Sequence, residues 1–208
     1  MPVDYSLYLV TDRGILKGKD LLEAVEEALR GGVTLVQLRE KDISSLDFYN
    51  TALKMKRLAH RYGVPFIVND RLDIALAADA DGLHIGQGDL PLEAARRLLG
   101  KGKILGYSVS SVEEAVYGEK NGADYLGAGP VYPTGSKPDA ASPIGPGALR
   151  SIRESVSLPV VGIGGIGISN IEEIKSTGID GIALISAILG SRDIKEASEN
   201  LVRLWRKE

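Results

Sequence analysis

The sequence predicts an α/β fold, a single-domain (β/α)8 TIM barrel spanning residues 1–208. Three observations lead to it. Short apolar runs rich in Val, Ile and Leu alternate with amphipathic stretches from one end of the chain to the other. The runs lack polar alternation, as strands do when helices cover a parallel sheet and bury both its faces. Eight such strand–helix units follow one another without a linker, which favours a closed parallel barrel over a doubly wound open sheet.

The elements follow in order. Leu7–Val10 is the first strand, and Leu21, Leu22, Val25, Ala28 and Leu29 recur at helical spacing after it. Asp20 stands at that helix's N-cap, where its carboxylate can accept from free N–H groups, and Gly31-Gly32 supplies the stop. A strand over 33–38 leads into a longer helix, 46–62, ended by Gly63 and Pro65, and a strand over 66–68 precedes a helix over 71–78. Gly82–Ile85 is followed by helix Leu92–Leu99, strand 104–107 by helix 112–121, and Tyr125–Ala128 by helix 147–155. Val160–Ile163 precedes helix 170–176, with Ser169 as its expected N-cap, and strand 181–185 precedes helix Ile194–Arg206. The phrases Asp79-Ala80-Asp81-Gly82, Gly122-Ala123-Asp124-Tyr125 and Gly178-Ile179-Asp180-Gly181 echo one another, each placing an acid just before a strand. This reads as shared βα architecture rather than a solenoid repeat.

Composition narrows the function. Apolar residues make up 44%, enough for a core, and the net charge of −3 comes from acids and bases dispersed along the chain. No basic stripe suited to nucleic acid appears. The chain has no cysteine, which excludes disulfides and thiolate metal sites and fits a cytoplasmic location. Met1-Pro2-Val3-Asp4 lacks a signal pattern, and no apolar run approaches the roughly 20 residues that span a membrane.

The polar residues are distributed asymmetrically. Strand starts are bland, whereas strand ends run into Thr11-Asp12-Arg13, Gln37-Leu38-Arg39-Glu40-Lys41, Asn69-Asp70-Arg71, Gln87-Gly88-Asp89, Ser108, the loop from Gly129 to Lys137, Gly162-Ile163-Gly164-Gly165, and Ser186. In a barrel these ends share one rim, where active sites of this fold form. Arg39, Lys41 and Lys137 can converge there on a polyanion, arginine as a planar donor fork and lysine as a mobile point charge. Asp70 and Asp89, from neighbouring strands, are hard carboxylates that suit Mg2+ beside phosphate oxygens. The glycines after the seventh strand suggest a second anion site made of backbone N–H groups. Gly162, Gly164 and Gly167 also fit a G-x-G-x-x-G search, but no acid follows to hold a ribose, so a dinucleotide site is rejected. The histidines are His60, on a helix, and His84, inside a strand, where it reads as a buried residue rather than a general base. Tyr8 and Trp205 read as packing residues. No Ser-His-Asp set, zinc spacing or Schiff-base signature emerges.

At these rim segments the sequence resembles the thiamine-phosphate synthase family over nearly its full length. The resemblance is carried by Tyr8-Leu9-Val10-Thr11-Asp12-Arg13, Gln37 to Lys41, Phe66-Ile67-Val68-Asn69-Asp70-Arg71, Gly82 to Asp89, Gly106-Tyr107-Ser108, Gly129 to Lys137, Gly162 to Ile166, and Ile185-Ser186-Ala187-Ile188. It implies a transferase that condenses 4-amino-2-methyl-5-(diphosphooxymethyl)pyrimidine with 4-methyl-5-(2-phosphooxyethyl)thiazole, giving thiamine phosphate and pyrophosphate through a pyrimidine cation. Gln37, Leu38, Arg39, Glu40, Lys41, Asn69, Ser108 and Lys137 would then bind the pyrimidine diphosphate, with Lys137, Arg39, Lys41 and Ser108 acting in catalysis. Thr134, Gly135, Ser136, Gly165, Ile185 and Ser186 would bind the thiazole phosphate, and Asp70 and Asp89 would bind Mg2+. The resemblance also implies small-molecule substrates and a homodimer. Two positions depart from the family pattern: Ser136 stands where a second threonine is usual, and Ser108-Val109-Ser110 replaces Ser-x-His. The rival readings are a thiazole tautomerase on the same barrel, which carries a histidine where this chain has Pro130, another phosphate-handling barrel such as an epimerase, and a non-catalytic phosphate-binding module.

Overall fold

The computed structural model describes residues 2–135 and 142–207. Among these, eight parallel strands close into a barrel in chain order: β1 (Leu7–Val10), β2 (Leu35–Leu38), β3 (Phe66–Asn69), β4 (Gly82–Ile85), β5 (Ile104–Val109), β6 (Tyr125–Ala128), β7 (Val160–Ile163) and β8 (Gly181–Leu184). Closure is made by β8 on β1, with Leu7, Tyr8 and Leu9 opposite Ile182, Ala183 and Leu184. The helices α1 (Leu21–Arg30), α2 (Ser45–Arg61), α3 (Leu72–Ala77), α4 (Leu92–Leu99), α5 (Val112–Lys120), α6 (Gly145–Ser155), α7 (Ile171–Lys175), α8 (Ser186–Leu189) and α9 (Ile194–Arg206) accompany the strands. None is long and apolar enough to cross a membrane.

Two cores result, because successive strand residues face opposite sides. Leu7, Leu9, Val36, Leu38, Phe66, Val68, Leu83, Ile85, Leu126 and Val160 point outward and are covered by helix residues such as Phe48, Met55, Leu149 and Trp205. Tyr8, Val10, Leu35, Ile67, Tyr125, Val161 and Ala183 point inward and fill the lumen. Tyr8 and Trp205 are buried, as expected.

Four ties hold the strand starts. Phe66 N donates to Asp81 Oδ2 at 2.7 Å, Leu105 N to Asp124 Oδ2 at 2.7 Å, and Val160 N to Asp180 Oδ2 at 2.8 Å. These are the acids of the three echoing phrases. Thr34 does the same work in the first pair, where Leu7 N donates to its Oγ1 at 3.1 Å. Each tie gives an otherwise unpaired first-strand N–H an acceptor, which a buried amide requires. The three carboxylates also meet a base from the helix that precedes the tied strand: His60 of α2 with Asp81, Arg96 of α4 with Asp124, and Arg153 of α6 with Asp180. Arg206 meets Asp4 at 2.8 Å, bringing residues near the two ends of the chain together.

Some boundaries differ from expectation. β2 begins at Leu35 rather than 33, because Thr34 is held at the tie, while β5 runs on to Val109 through its pairing with Ala128. Asp20 caps α1, accepting from Leu22 N and Glu23 N. Ser169 does not cap α7: the N-cap is Asn170, whose side chain instead accepts from Gly167 N and donates to Gly165 O, bracing the preceding loop. α8 and the 3-10 turn Arg13–Ile15 have no sequence signal, since elements of three or four residues carry no period.

Candidate active site

The C-terminal ends of the strands surround a cavity of about 540 Å³. Strand alternation decides which predicted residues reach it. Gln37, Arg39 and Lys41 line it, whereas Leu38 turns outward into the helix layer and Glu40 accepts from Arg13 Nε at 2.6 Å. Leu38 and Glu40 therefore do not present side chains to a ligand there. Burial pushes the Glu40 carboxyl up, against the lowering effect of Arg13. Asn69, Asp70, Asp89, Ser108, Thr134, Gly165, Ile185 and Ser186 all line the cavity; Gly135 does not and is exposed. Ser136 and Lys137 lie outside the described residues.

On the β1–β4 side the charges are pre-arranged. Asp12 accepts from Gly14 N at 2.8 Å, capping the 3-10 turn, and its second oxygen holds Arg39 Nη1 at 3.1 Å. Thr11 Oγ1 accepts from Arg39 N at 3.0 Å, so the two residues that follow β1 fix both backbone and guanidinium of residue 39. Lys41 Nζ donates to Asp70 Oδ2 at 2.7 Å. Asp70 has φ 62°, a left-handed conformation that aspartate tolerates better than most residues, and such backbone clusters at functional sites. Asp89 caps its own turn by accepting from Gly86 N at 2.8 Å. Burial raises the Asp89 carboxyl, Gly86 N–H opposes this, and the charge and hydrogen bonding of Asp70 push it up further. The two carboxylates are thus close neighbours. No group of three metal-binding side chains occurs among the described residues.

The β6–β8 side is less charged. Gly164 and Gly165 have φ of +96° and +66°, and their missing Cβ atoms make room first for the neighbouring loop. A Cβ on Gly164 would stand 2.6 Å from Pro130 Cβ, and one on Gly165 2.6 Å from Tyr132 Cβ. Val131 N and Tyr132 N donate to Ile163 O and Gly164 O, so the two loops are laced together. Sequence reasoning assigned the glycines' freedom to an anion; part of it serves this lacing. Pro130, in the cavity wall, offers no acid or base. At the departure after β5, Ser110 donates from N and Oγ to Glu114 Oε2, closing the start of α5.

Sequence reasoning missed the deeper lining. His84 is buried as expected, yet its ring bridges Tyr125 Oη and Ser108 Oγ, at 2.9 Å each. Tyr125 was overlooked; its inward parity with Gly127 on β6 was the available signal. Gln87 Nε2 donates to Ser108 O at 2.9 Å, steadying the end of β5.

The profile of the family described as Thiamine monophosphate synthase matches residues 7–188. A thiamine-phosphate synthase of Desulfitobacterium hafniense is 61% identical over 206 residues, covering 99% of this chain and 100% of the relative. That of Clostridium acetobutylicum is 54% identical over 205 residues, covering 99% and 97%. Among solved structures, a thiamine phosphate pyrophosphorylase from Pyrococcus furiosus superposes with a TM-score of 0.91 at 43% identity, covering 99% of this chain and 97% of that one. An orotidine 5'-phosphate decarboxylase from Pyrococcus horikoshii, at 13% identity and a TM-score of 0.69, shares the fold alone.

Proposed function

This chain belongs to the thiamine monophosphate synthase family and is a transferase that makes thiamine phosphate, and from that premise we propose how its cavity divides the work between two anionic substrates. The observation that carries the reading is the placement of two unlike polar groups around one cavity. Arg39, Lys41, Asp70 and Asp89 stand at the ends of β2–β4, and Gly165, Ile185 and Ser186 at those of β7 and β8. The cationic side suits a diphosphate, and the glycine and serine side a monophosphate.

In this reading Gln37, Asn69 and Ser108 hold the aminopyrimidine, with Arg39, Lys41 and Lys137 on its diphosphate. Asp12 keeps Arg39 aimed, so the guanidinium needs no search before substrate arrives. Thr134, Gly135, Ser136, Gly165, Ile185 and Ser186 hold the thiazole phosphate. The methylene carbon–oxygen bond breaks, its electron pair leaves with pyrophosphate, and the thiazole nitrogen lone pair forms the new carbon–nitrogen bond. The aminopyrimidine ring stabilises the intervening cation, so no enzyme nucleophile is needed. Arg39, Lys41 and Lys137 stabilise charge that grows on the leaving group, where a preorganised donor has most effect.

The donor set supports Mg2+: Asp70 and Asp89 offer adjacent hard carboxylates, and a cation that keeps several waters and binds phosphate oxygens needs few protein ligands. When bound it would neutralise charge on the departing diphosphate. A cytoplasmic location, in keeping with a cysteine-free chain, and a homodimer, as the resemblance implies, belong to the same reading.

Incubation with both substrates and Mg2+ should yield thiamine phosphate and pyrophosphate in equal amounts; release of neither would overturn the reading. Ser186→Ala should raise KM for the thiazole phosphate several-fold, the loss of one neutral donor worth about 1 kcal/mol. A rise instead in KM for the pyrimidine diphosphate would mean the two anion sites are exchanged.

A further inference from the structure

Five side chains beneath the phosphate-facing groups form one continuous hydrogen-bonded chain. Gln37 Nε2 donates to Tyr8 Oη at 2.5 Å, and the Tyr8 and Tyr125 hydroxyls are 2.8 Å apart. Tyr125 Oη lies 2.9 Å from His84 Nδ1, and His84 Nε2 lies 2.9 Å from Ser108 Oγ. The Tyr8–Tyr125 link crosses the lumen from β1 to β6, and both rings are almost fully buried. Gly106 leaves the room: a Cβ there would stand 2.2 Å from Tyr125 Cζ and 2.4 Å from His84 Nδ1.

Counting protons gives the chain a direction. Gln37 offers Tyr8 an N–H, so the Tyr8 oxygen accepts there and its single proton goes to Tyr125. Tyr125 in turn gives its proton to Nδ1, which must carry a lone pair. His84 is then the neutral tautomer with its proton on Nε2, donating to Ser108 Oγ. Gln37 is left with an acceptor oxygen for the cavity, and Ser108 with a donor proton. Burial raises both phenols above their ordinary value, so each keeps the one proton the count requires. Rotating the Gln37 amide by half a turn would reverse every bond and exchange donor for acceptor at both ends.

We propose that this relay sets the polarity with which the cavity reads the edge of its pyrimidine, and that Tyr8, Tyr125 and His84 are positioning residues that select an amino over an oxo substituent. The inference rests on the reading that the pyrimidine lies against Gln37 and Ser108. An acceptor at Gln37 and a donor at Ser108 match an exocyclic amino N–H and the ring nitrogen beside it. A 4-oxo ring presents the opposite pair, an oxygen acceptor and a ring N–H. It would leave buried polar groups mispaired, and sites built this way discriminate far more strongly than apolar pockets do.

The chain has two histidines, so 15N NMR can follow each ring in the whole protein. The expected spectrum of the free protein near neutral pH places the His84 proton on Nε2. An Nδ1–H tautomer or an imidazolium would overturn the relay. Calorimetric titration should then show wild type preferring the aminopyrimidine diphosphate over its 4-oxo counterpart by roughly 100-fold or more. Tyr125→Phe keeps the ring that packs against Tyr5 and Tyr8 but cuts the relay, and should shrink that preference about tenfold. A variant that weakens both pyrimidines equally, with the ratio intact, would reduce Tyr125 to a packing role and overturn the proposal. Failure of the wild type to bind either pyrimidine would overturn it together with the reading of the cavity, whereas a wrong tautomer with normal aminopyrimidine binding would overturn the relay alone.

Discussion

Asp70→Asn is expected to lower kcat by on the order of 10²–10³ while leaving the metal-free protein at least as stable as wild type. The two effects have separate causes. Asparagine keeps the shape and tolerates the φ of 62° at this position, so the backbone need not move. What it would lose, on the proposed reading, is a negative charge that holds a hard cation, which in turn would offset charge on pyrophosphate. What it relieves is repulsion, since Asp70 is one of the influences that push the Asp89 carboxyl up. The lost partner of Lys41 counts for little, because that ammonium is half exposed and its pair is screened. Turnover at limiting Mg2+ and melting temperature with and without Mg2+ read the two effects apart. The metal-induced rise in melting temperature should shrink in the variant. An unchanged rate at limiting Mg2+ would remove Asp70 from the metal site, and a lower melting temperature in chelator would make it a structural residue.

Lys137→Ala should lower kcat by about 10²–10³ and change either KM much less. Lys137 follows Thr134 by three residues, a span of at most about 10 Å, and Thr134 lines the cavity. Lys137 is therefore within reach of the cavity along the sequence. Arg39 and Lys41 are already engaged with Asp12 and Asp70, so a further ammonium on the leaving group would act most as charge appears there. An interaction strengthened in the transition state alters rate, while one made equally with bound substrate alters KM. Single-turnover formation of thiamine phosphate with both substrates saturating is the deciding measurement, with circular dichroism as the folding check. A folded variant with a wild-type single-turnover rate would exclude the leaving-group role.

Much of this was legible in the sequence because barrel strands are short, apolar and regularly spaced. Four of the eight runs, Leu7–Val10, Gly82–Ile85, Tyr125–Ala128 and Val160–Ile163, are bounded as the residues indicate. The rim was legible too, since polar residues at strand ends have few other uses. Period-two alternation already implied that the side chains of 37, 39 and 41 share a face that those of 38 and 40 do not. The relay was not legible. Its members come from β1, β2, β4, β5 and β6, and its central bond joins strands that are not neighbours, so only closure of the barrel brings Tyr8 to Tyr125. Ser169 failed as a cap because Asn170, one residue on, could brace the loop with both ends of its amide.

The ties from Thr34, Asp81, Asp124 and Asp180 divide the chain into four cassettes of two strands each, with every tie internal to its cassette. The seams between cassettes carry strand pairing, β2 with β3, β4 with β5, β6 with β7 and β8 with β1, together with the ion pairs His60–Asp81, Arg96–Asp124, Arg153–Asp180 and, across the junction of first and last, Arg206–Asp4. The ion pairs are partly exposed and contribute only about 0–1 kcal/mol each, and the strand pairing across a seam does not run through the loop that joins the two cassettes, so that loop is a safe place to cut. Linking the chain just before Asp4 to the chain just after Arg206 and opening it at 62–65, 100–103 or 156–159 would sever no tie and leave every rim residue on its own strand. The order in which the cassettes are translated is therefore separable from the chemistry at the opposite rim, and a permuted gene should encode the same catalyst.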